Sequence, residues 1–127
     1  MADAAKTNPV NWFEIPVLDL DRAIAFYASV FGYAFAPETM GPYSLAFFPT
    51  AQGASGATGA LIKGGTYKPS HTGTIVYFSV DDIDDILIKV NAGGGKTVFP
   101  KKSIGQYGFI AQFDDTEGNR LALHSMK

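Results

Sequence analysis

The sequence predicts an α+β fold of two tandem βαβββ units, and three observations carry that prediction. Shifted by 63 positions, residues 11–37 overlay residues 74–100 in apolar pattern, with Val17 on Val80, Asp19 on Asp82, Gly32 on Gly95 and Pro37 on Pro100. Within each copy the apolar period changes from two to that of a helix. After each helix come three further strand-like runs separated by Gly- and Pro-bearing turns.

Each unit opens on a strand. Phe13, Ile15 and Val17 alternate with other residues in the first, as do Val76, Phe78 and Val80 in the second; this alternation fits a strand with one buried face. A helix follows in each. Leu20, Ala23, Ile24, Tyr27, Val30 and Phe31 recur at helical spacing, and so do Ile83, Ile86, Leu87 and Val90. Asp19 and Asp82 are the expected N-caps, with further acids in the first turns where the helix dipole favours them. Gly32 and Gly93 to Gly95 are the expected stops. The remaining strands are expected at 33–37, 43–50 and 58–63, then at 96–100, 107–114 and 120–125. Residues 52–57 read as a mobile loop. The chain is expected to be a single domain over 1–127, with unit 1 at about 9–63, a linker at 64–72 and unit 2 at about 73–126.

Composition narrows the function classes. With 127 residues, 46% of them apolar and 17% charged, the chain has the makings of a globular core. A net charge of −2 leaves no basic footprint, so nucleic acid is not an expected partner. The absence of cysteine removes disulfides, thiolate catalysis and zinc–thiolate sites, and suits a reducing compartment. The opening MADAAKTNPV carries no apolar leader run and no later stretch is long enough to span a membrane, so a cytoplasmic protein is expected.

The repeat, the helix start in VLDLDRAIAFYASVFGY and the closing DDTEGNRLALHS resemble the vicinal oxygen chelate superfamily, which holds glyoxalase, bleomycin-resistance protein and extradiol dioxygenases. The resemblance covers roughly residues 9–126. It implies an eight-stranded sheet curved around a central cavity, with the helices on the outer face. On that fold Phe13, Ile15 and Val17, Val76, Phe78 and Val80, and Leu121 and Leu123 pack beneath the helices. Trp12, Glu14, Pro16, Ile75, Tyr77, Ser79, Ala122 and His124 then face the cavity.

Metal-dependent members place His, Gln or Glu on the first and last strands of each unit, and the resemblance maps those positions onto Trp12, Ile75, Ala60 and Ala122. None of these can ligate through its side chain. The nearby donors are Glu14 and His124, each two residues along, and a pair falls short of the three protein ligands of catalytic zinc. His71 lies in the linker.

The leading expectation is a metal-free small-molecule binder without cofactor. Its small organic ligand would meet Trp12, Glu14, Tyr77 and His124, with Tyr107 as a lid between Gly105 and Gly108. The rival is a lyase or isomerase with Glu14 as general base and His124 as partner, with or without a divalent ion such as Zn, Ni, Fe or Mn held by these two residues. A third reading makes Glu14 a structural partner of Arg120 or His124. A homodimer is implied by the resemblance alone. Gln112 is polar within an apolar run and its face is left open; Asp114 and Asp115 read as turn formers. Gly93 to Thr97 has a P-loop's glycines without its spacing and follows a helix, so it reads as a helix stop.

Overall fold

The computed structural model describes residues 7–127, so part of the N-terminal stretch read above as lacking a leader run lies outside the described residues. The chain runs β1 (Trp12–Pro16), α1 (Leu20–Phe31), β2 (Ala36–Met40), β3 (Tyr43–Phe47), β4 (Thr58–Lys63), then β5 (Tyr77–Ser79), α2 (Ile83–Ala92), β6 (Lys96–Ser103), β7 (Phe109–Asp114) and β8 (Arg120–Ser125). The same βαβββ order occurs twice. The eight strands divide into two four-stranded mixed sheets, ordered β1-β4-β3-β2 and β5-β8-β7-β6. In each, the first strand lies parallel to the last and the other neighbours are antiparallel.

The caps act as the sequence requires. The Asp19 carboxylate accepts from the Arg22 N–H at 3.0 Å and that of Asp82 from the Asp85 N–H at 3.1 Å. Gly32 ends α1 in the left-handed region, φ 75°.

Four strand boundaries differ from the sequence expectation; the run at 43–50 ends its ladder at Phe47, ahead of Pro49. The run at 33–37 starts its ladder only at Ala36, because Tyr33 and Phe35 turn into the core beside Phe48, with centroids 5.9 and 4.8 Å away. Pro37 is tolerated there because β2 is an edge strand. The run at 96–100 continues to Ser103, and its register shifts between Thr97 and Lys102 around Pro100. Gly105–Tyr107 forms a 3₁₀ turn, so β7 begins at Phe109.

One core serves both units. Ile15, Val17, Tyr27, Val30 and Leu61 from the first pack with Phe78, Ile83, Val90, Phe113 and Leu123 from the second. Phe31 and Phe78 join the halves at 4.7 Å between centroids. Phe13, Val76 and Val80 lie against this core, so the alternation sorts both opening strands as expected. The other face of the first sheet carries a second cluster, Leu45, Ala60 and Ile62 under Tyr43, Phe47 and Tyr67.

Among the described residues no helix is long and apolar enough to cross a membrane.

Candidate functional site

Register builds the first site from β1 inward. Glu14 lies beside Ala60, which lies beside Phe47; Pro16 lies beside Ile62, which lies beside Leu45. Trp12, 42% exposed, leans edge-on to Phe47 at 5.9 Å. Glu14 is thus an exposed carboxylate on an otherwise apolar, aromatic face. The Glu14 carboxylate holds the Tyr67 phenol's pKa above its ordinary value, by hydrogen bonding first and by its charge second.

Neither structural partner considered for Glu14 takes it. The Arg120 guanidinium donates to both oxygens of Asp114, at 2.9 and 3.3 Å. The His124 ring directs Nε2 at the Tyr107 carbonyl oxygen, 2.6 Å away. A carbonyl only accepts, so that nitrogen carries the proton and Nδ1 alone remains for a base or a ligand. Glu14 instead opens onto a cavity of about 170 Å³ at the seam between β1 and the second unit, lined also by Lys68, Ser70, Thr72, Thr74 and Arg120.

The second site lies on the equivalent face of the other sheet. Tyr77 neighbours Ala122, and Ser79 neighbours His124. Across β8, Gln112 neighbours Ala122 and Ile110 neighbours His124, which assigns Gln112 to this face. Tyr77 is exposed, and Tyr107 presents its ring to solvent while its carbonyl holds His124. The structure therefore groups Trp12 with Glu14, and Tyr77 with His124 and Tyr107; the cavity at Glu14 includes none of the other four.

The donor set does not fit a catalytic metal centre. The positions that the resemblance assigns to ligands carry Trp12, Ala60, Ile75 and Ala122, and among the described residues no three His, Cys, Asp or Glu side chains converge to hold an ion.

Two groups escaped sequence reasoning. Tyr67, read as part of a linker, packs on the first face; an aromatic among small polar residues was its one signal. The turn at 114–119 is a buried polar network as well as a turn. Asp115 accepts from the Tyr27 hydroxyl at 2.7 Å and from the N–H groups of Glu117 and Asn119 at 2.8 and 2.9 Å. Glu117, 2% exposed, accepts from the Leu18 and Asp19 N–H groups at 2.9 and 2.8 Å and from Arg22 at 2.6 Å. Burial opposes its ionisation, yet Arg22, the Asp19 N–H, the Thr116 hydroxyl and the Leu18 N–H outweigh it and hold the carboxyl at about 2.

Comparison with known proteins gives one family. The model of the Glyoxalase/Bleomycin resistance protein/Dioxygenase superfamily matches residues 10–123. A glyoxylase-like domain-containing protein of Didymella fabae is 32% identical over 117 residues, covering 90% of this chain and 91% of that protein. CFP32 of Mycobacterium bovis, provisionally named a glyoxylase, is 31% identical over 117 residues; the match covers 89% of this chain but only 44% of CFP32. Among solved structures, a glyoxylase/bleomycin resistance protein/dioxygenase domain from Frankia sp. EAN1pec superposes with TM-score 0.75 at 17% identity, covering 96% of this chain and all (100%) of that one. TnmS3, an antibiotic binding protein from Streptomyces sp. CB03234, superposes with TM-score 0.72 at 22% identity, covering 96% and 98%. At such identities the structures speak for the fold alone.

Proposed function

The chain belongs to the Glyoxalase/Bleomycin resistance protein/Dioxygenase superfamily, and we propose that it binds a small organic molecule without needing a metal, anchoring it on Glu14. The observation that carries this reading is an exposed carboxylate, free of ion pairs among the described residues, set in an aromatic face beside a cavity of about 170 Å³. Such a site suits a ligand with an apolar body and one hydrogen-bond donor or cationic group. TnmS3, of the same fold, is an antibiotic binding protein, which supports binding as the class of activity.

The glyoxylase names of CFP32 and the Didymella protein favour a second reading, in which Glu14 takes a proton from a carbon next to a carbonyl. One experiment separates the two. A small-molecule panel is screened by quenching of Trp12, the single tryptophan, in protein purified without chelators and with its metal content measured. Binding without turnover, unchanged by chelator and weakened about ten-fold or more by Glu14→Gln, supports the binder. Turnover that Glu14→Gln abolishes while affinity persists supports the lyase or isomerase. Near-stoichiometric metal that is lost in a Glu14→Ala, His124→Ala variant overturns the metal-free reading.

A further inference from the structure

The inner face of the first sheet is occupied by a segment that belongs to neither repeat. β4 ends at Lys63, and the chain then turns back, with the Tyr67 N–H donating to the Gly64 carbonyl at 3.0 Å. A Cβ on Gly64 would stand 2.2 Å from Cδ1 of Tyr43, so glycine lets the backbone lie directly against that ring. Tyr67 meets Tyr43 edge-on at 5.5 Å and covers the cluster of Leu45, Ala60 and Ile62. It thus covers Ala60, the register neighbour of Glu14. Beyond it the chain is pinned again: the Ser70 N–H donates to Asn119 Oδ1 at 3.3 Å, and the Arg120 N–H to the Ser70 carbonyl at 3.2 Å. Between these anchors the Tyr67–Gly64 bond is the one backbone hydrogen bond among the described residues.

We propose that residues 64–70 are a strap whose Tyr67 plugs the ligand face of the first unit. The ligand class of this face is a planar aromatic bearing a hydrogen-bond donor, a phenol or an aromatic amine, seated with its ring on Tyr43 and its donor on Glu14 where Tyr67 now lies. The proposal rests on the reading of Glu14 as ligand anchor and adds the ligand's class and the residue that competes with it.

Three features separate a plug from an ordinary core residue. The cluster beneath Tyr67 is distinct from the main core and lies on the opposite sheet face. The strap is open to water around a half-buried tyrosine: Gly65, Thr66 and Lys68 are all exposed. The cavity that Glu14 and Lys68 line runs alongside, so a ligand can reach the carboxylate from the seam before Tyr67 leaves. The exchange replaces Tyr67's ring contact by one of the same kind while the free ligand alone bears the cost of association, so the wild-type chain is a weaker binder than one without Tyr67.

The test uses p-cresol, the tyrosine side chain as a free molecule, and toluene, which has the same ring without the donor. Binding to the wild-type chain, Tyr67→Ala and Tyr67→Ala/Glu14→Gln is followed by Trp12 fluorescence and calorimetry. The expected result is p-cresol binding at least about ten-fold tighter to Tyr67→Ala than to wild type, with toluene clearly weaker than p-cresol. Adding Glu14→Gln should abolish that preference for p-cresol. Equal affinity in wild type and Tyr67→Ala, or a cavity that takes toluene as well as p-cresol, overturns the plug. Should Tyr67→Ala fail to fold, Tyr67→Phe keeps the ring and loses the hydroxyl. It should bind p-cresol several-fold tighter than wild type, and unchanged affinity overturns the proposal. Panel ligands that need Glu14 in wild type, beside a failed p-cresol test, would remove the strap and leave the binding function standing. A donor-selective p-cresol result beside an empty wild-type panel would keep the plug and remove that function.

Discussion

Two loops hold the same place in the two repeats and do opposite things. Gln52 to Ala57 precede β4, and Asp114 to Asn119 precede β8, 62 positions later. The first is exposed throughout, its segment tied by a turn bond from the Ala54 N–H to the Ala51 carbonyl at 3.1 Å. The second buries Asp115, Glu117 and Asn119, and each of the three has a partner in the other unit: Tyr27 for Asp115, Leu18, Asp19 and Arg22 for Glu117 and, through the Asn119 amide at 2.7 Å, the Pro16 carbonyl. A repeat therefore conserves the path of the backbone without conserving what its side chains do. Here the second unit's turn joins the two halves, and it does so at the end of β1, the strand that carries Glu14. Buried polar groups act this way only when every one is satisfied, and no unpaired buried side-chain atom occurs among the described residues.

The largest expected effect follows from breaking that turn. Glu117→Ala leaves the Leu18 and Asp19 N–H groups without their acceptor and Arg22 without its partner. It should cost on the order of 3–5 kcal/mol, measured by urea unfolding. The same carboxylate sets an acid limb. Its folded pKa of about 2 lies below the ordinary value of 4.5. Its contribution is thus fully present above about pH 4.5 and is lost as pH falls toward 2, because the unfolded chain takes up the proton first. Unfolding midpoints between pH 6 and 2.5 should fall less steeply in Glu117→Gln than in wild type, and parallel curves would show that another group sets the limb.

This contrast also marks what the sequence discloses. Asp115 and Glu117 were readable as members of a turn because turn chemistry is local, written in Asp-Thr-Glu-Gly-Asn itself. Their hold on Tyr27 and Arg22 was not readable, since those partners lie 88 and 95 residues away and no periodicity encodes a distance through space. The faces of β1, β5 and β8 were legible for the same local reason, period two. The inner position of Gln112 needed the register with Ala122. At the candidate site, alternation sufficed to place Glu14 opposite the core. That Tyr67 would cover it depends on how a segment without periodicity folds back, which the pattern does not specify.

A smaller effect is expected one bond away from Glu117. Tyr27→Phe removes the hydroxyl that reaches Asp115 but leaves that carboxylate three donors: the N–H groups of Glu117 and Asn119 and the Asn119 amide at 2.9 Å. The ring keeps its place against Phe26 and Phe31. A loss of about 1–2 kcal/mol is therefore expected by urea unfolding, less than for Glu117→Ala. If the two variants lose equally, the network fails as a unit and the ranking by remaining partners is wrong.

The smallest effect sharpens the comparison from the other side. Inserting Gly-Ser between Ala54 and Ser55 lengthens an exposed loop whose side chains make no buried contacts. Loop-closure entropy grows only logarithmically, so the loss should stay within about 0.5 kcal/mol. The matching insertion between Thr116 and Glu117 displaces a carboxylate holding two backbone N–H groups and a guanidinium, and it should cost several times more, on the order of 3 kcal/mol or above. Because both insertions add the same residues at matching places in the repeat, chain entropy cancels between them. The difference in their urea midpoints isolates what the second turn's side chains contribute. A comparable loss from both would mean that Gln52 to Ala57 brace the fold through their backbone, and that the two loops differ in exposure but not in role.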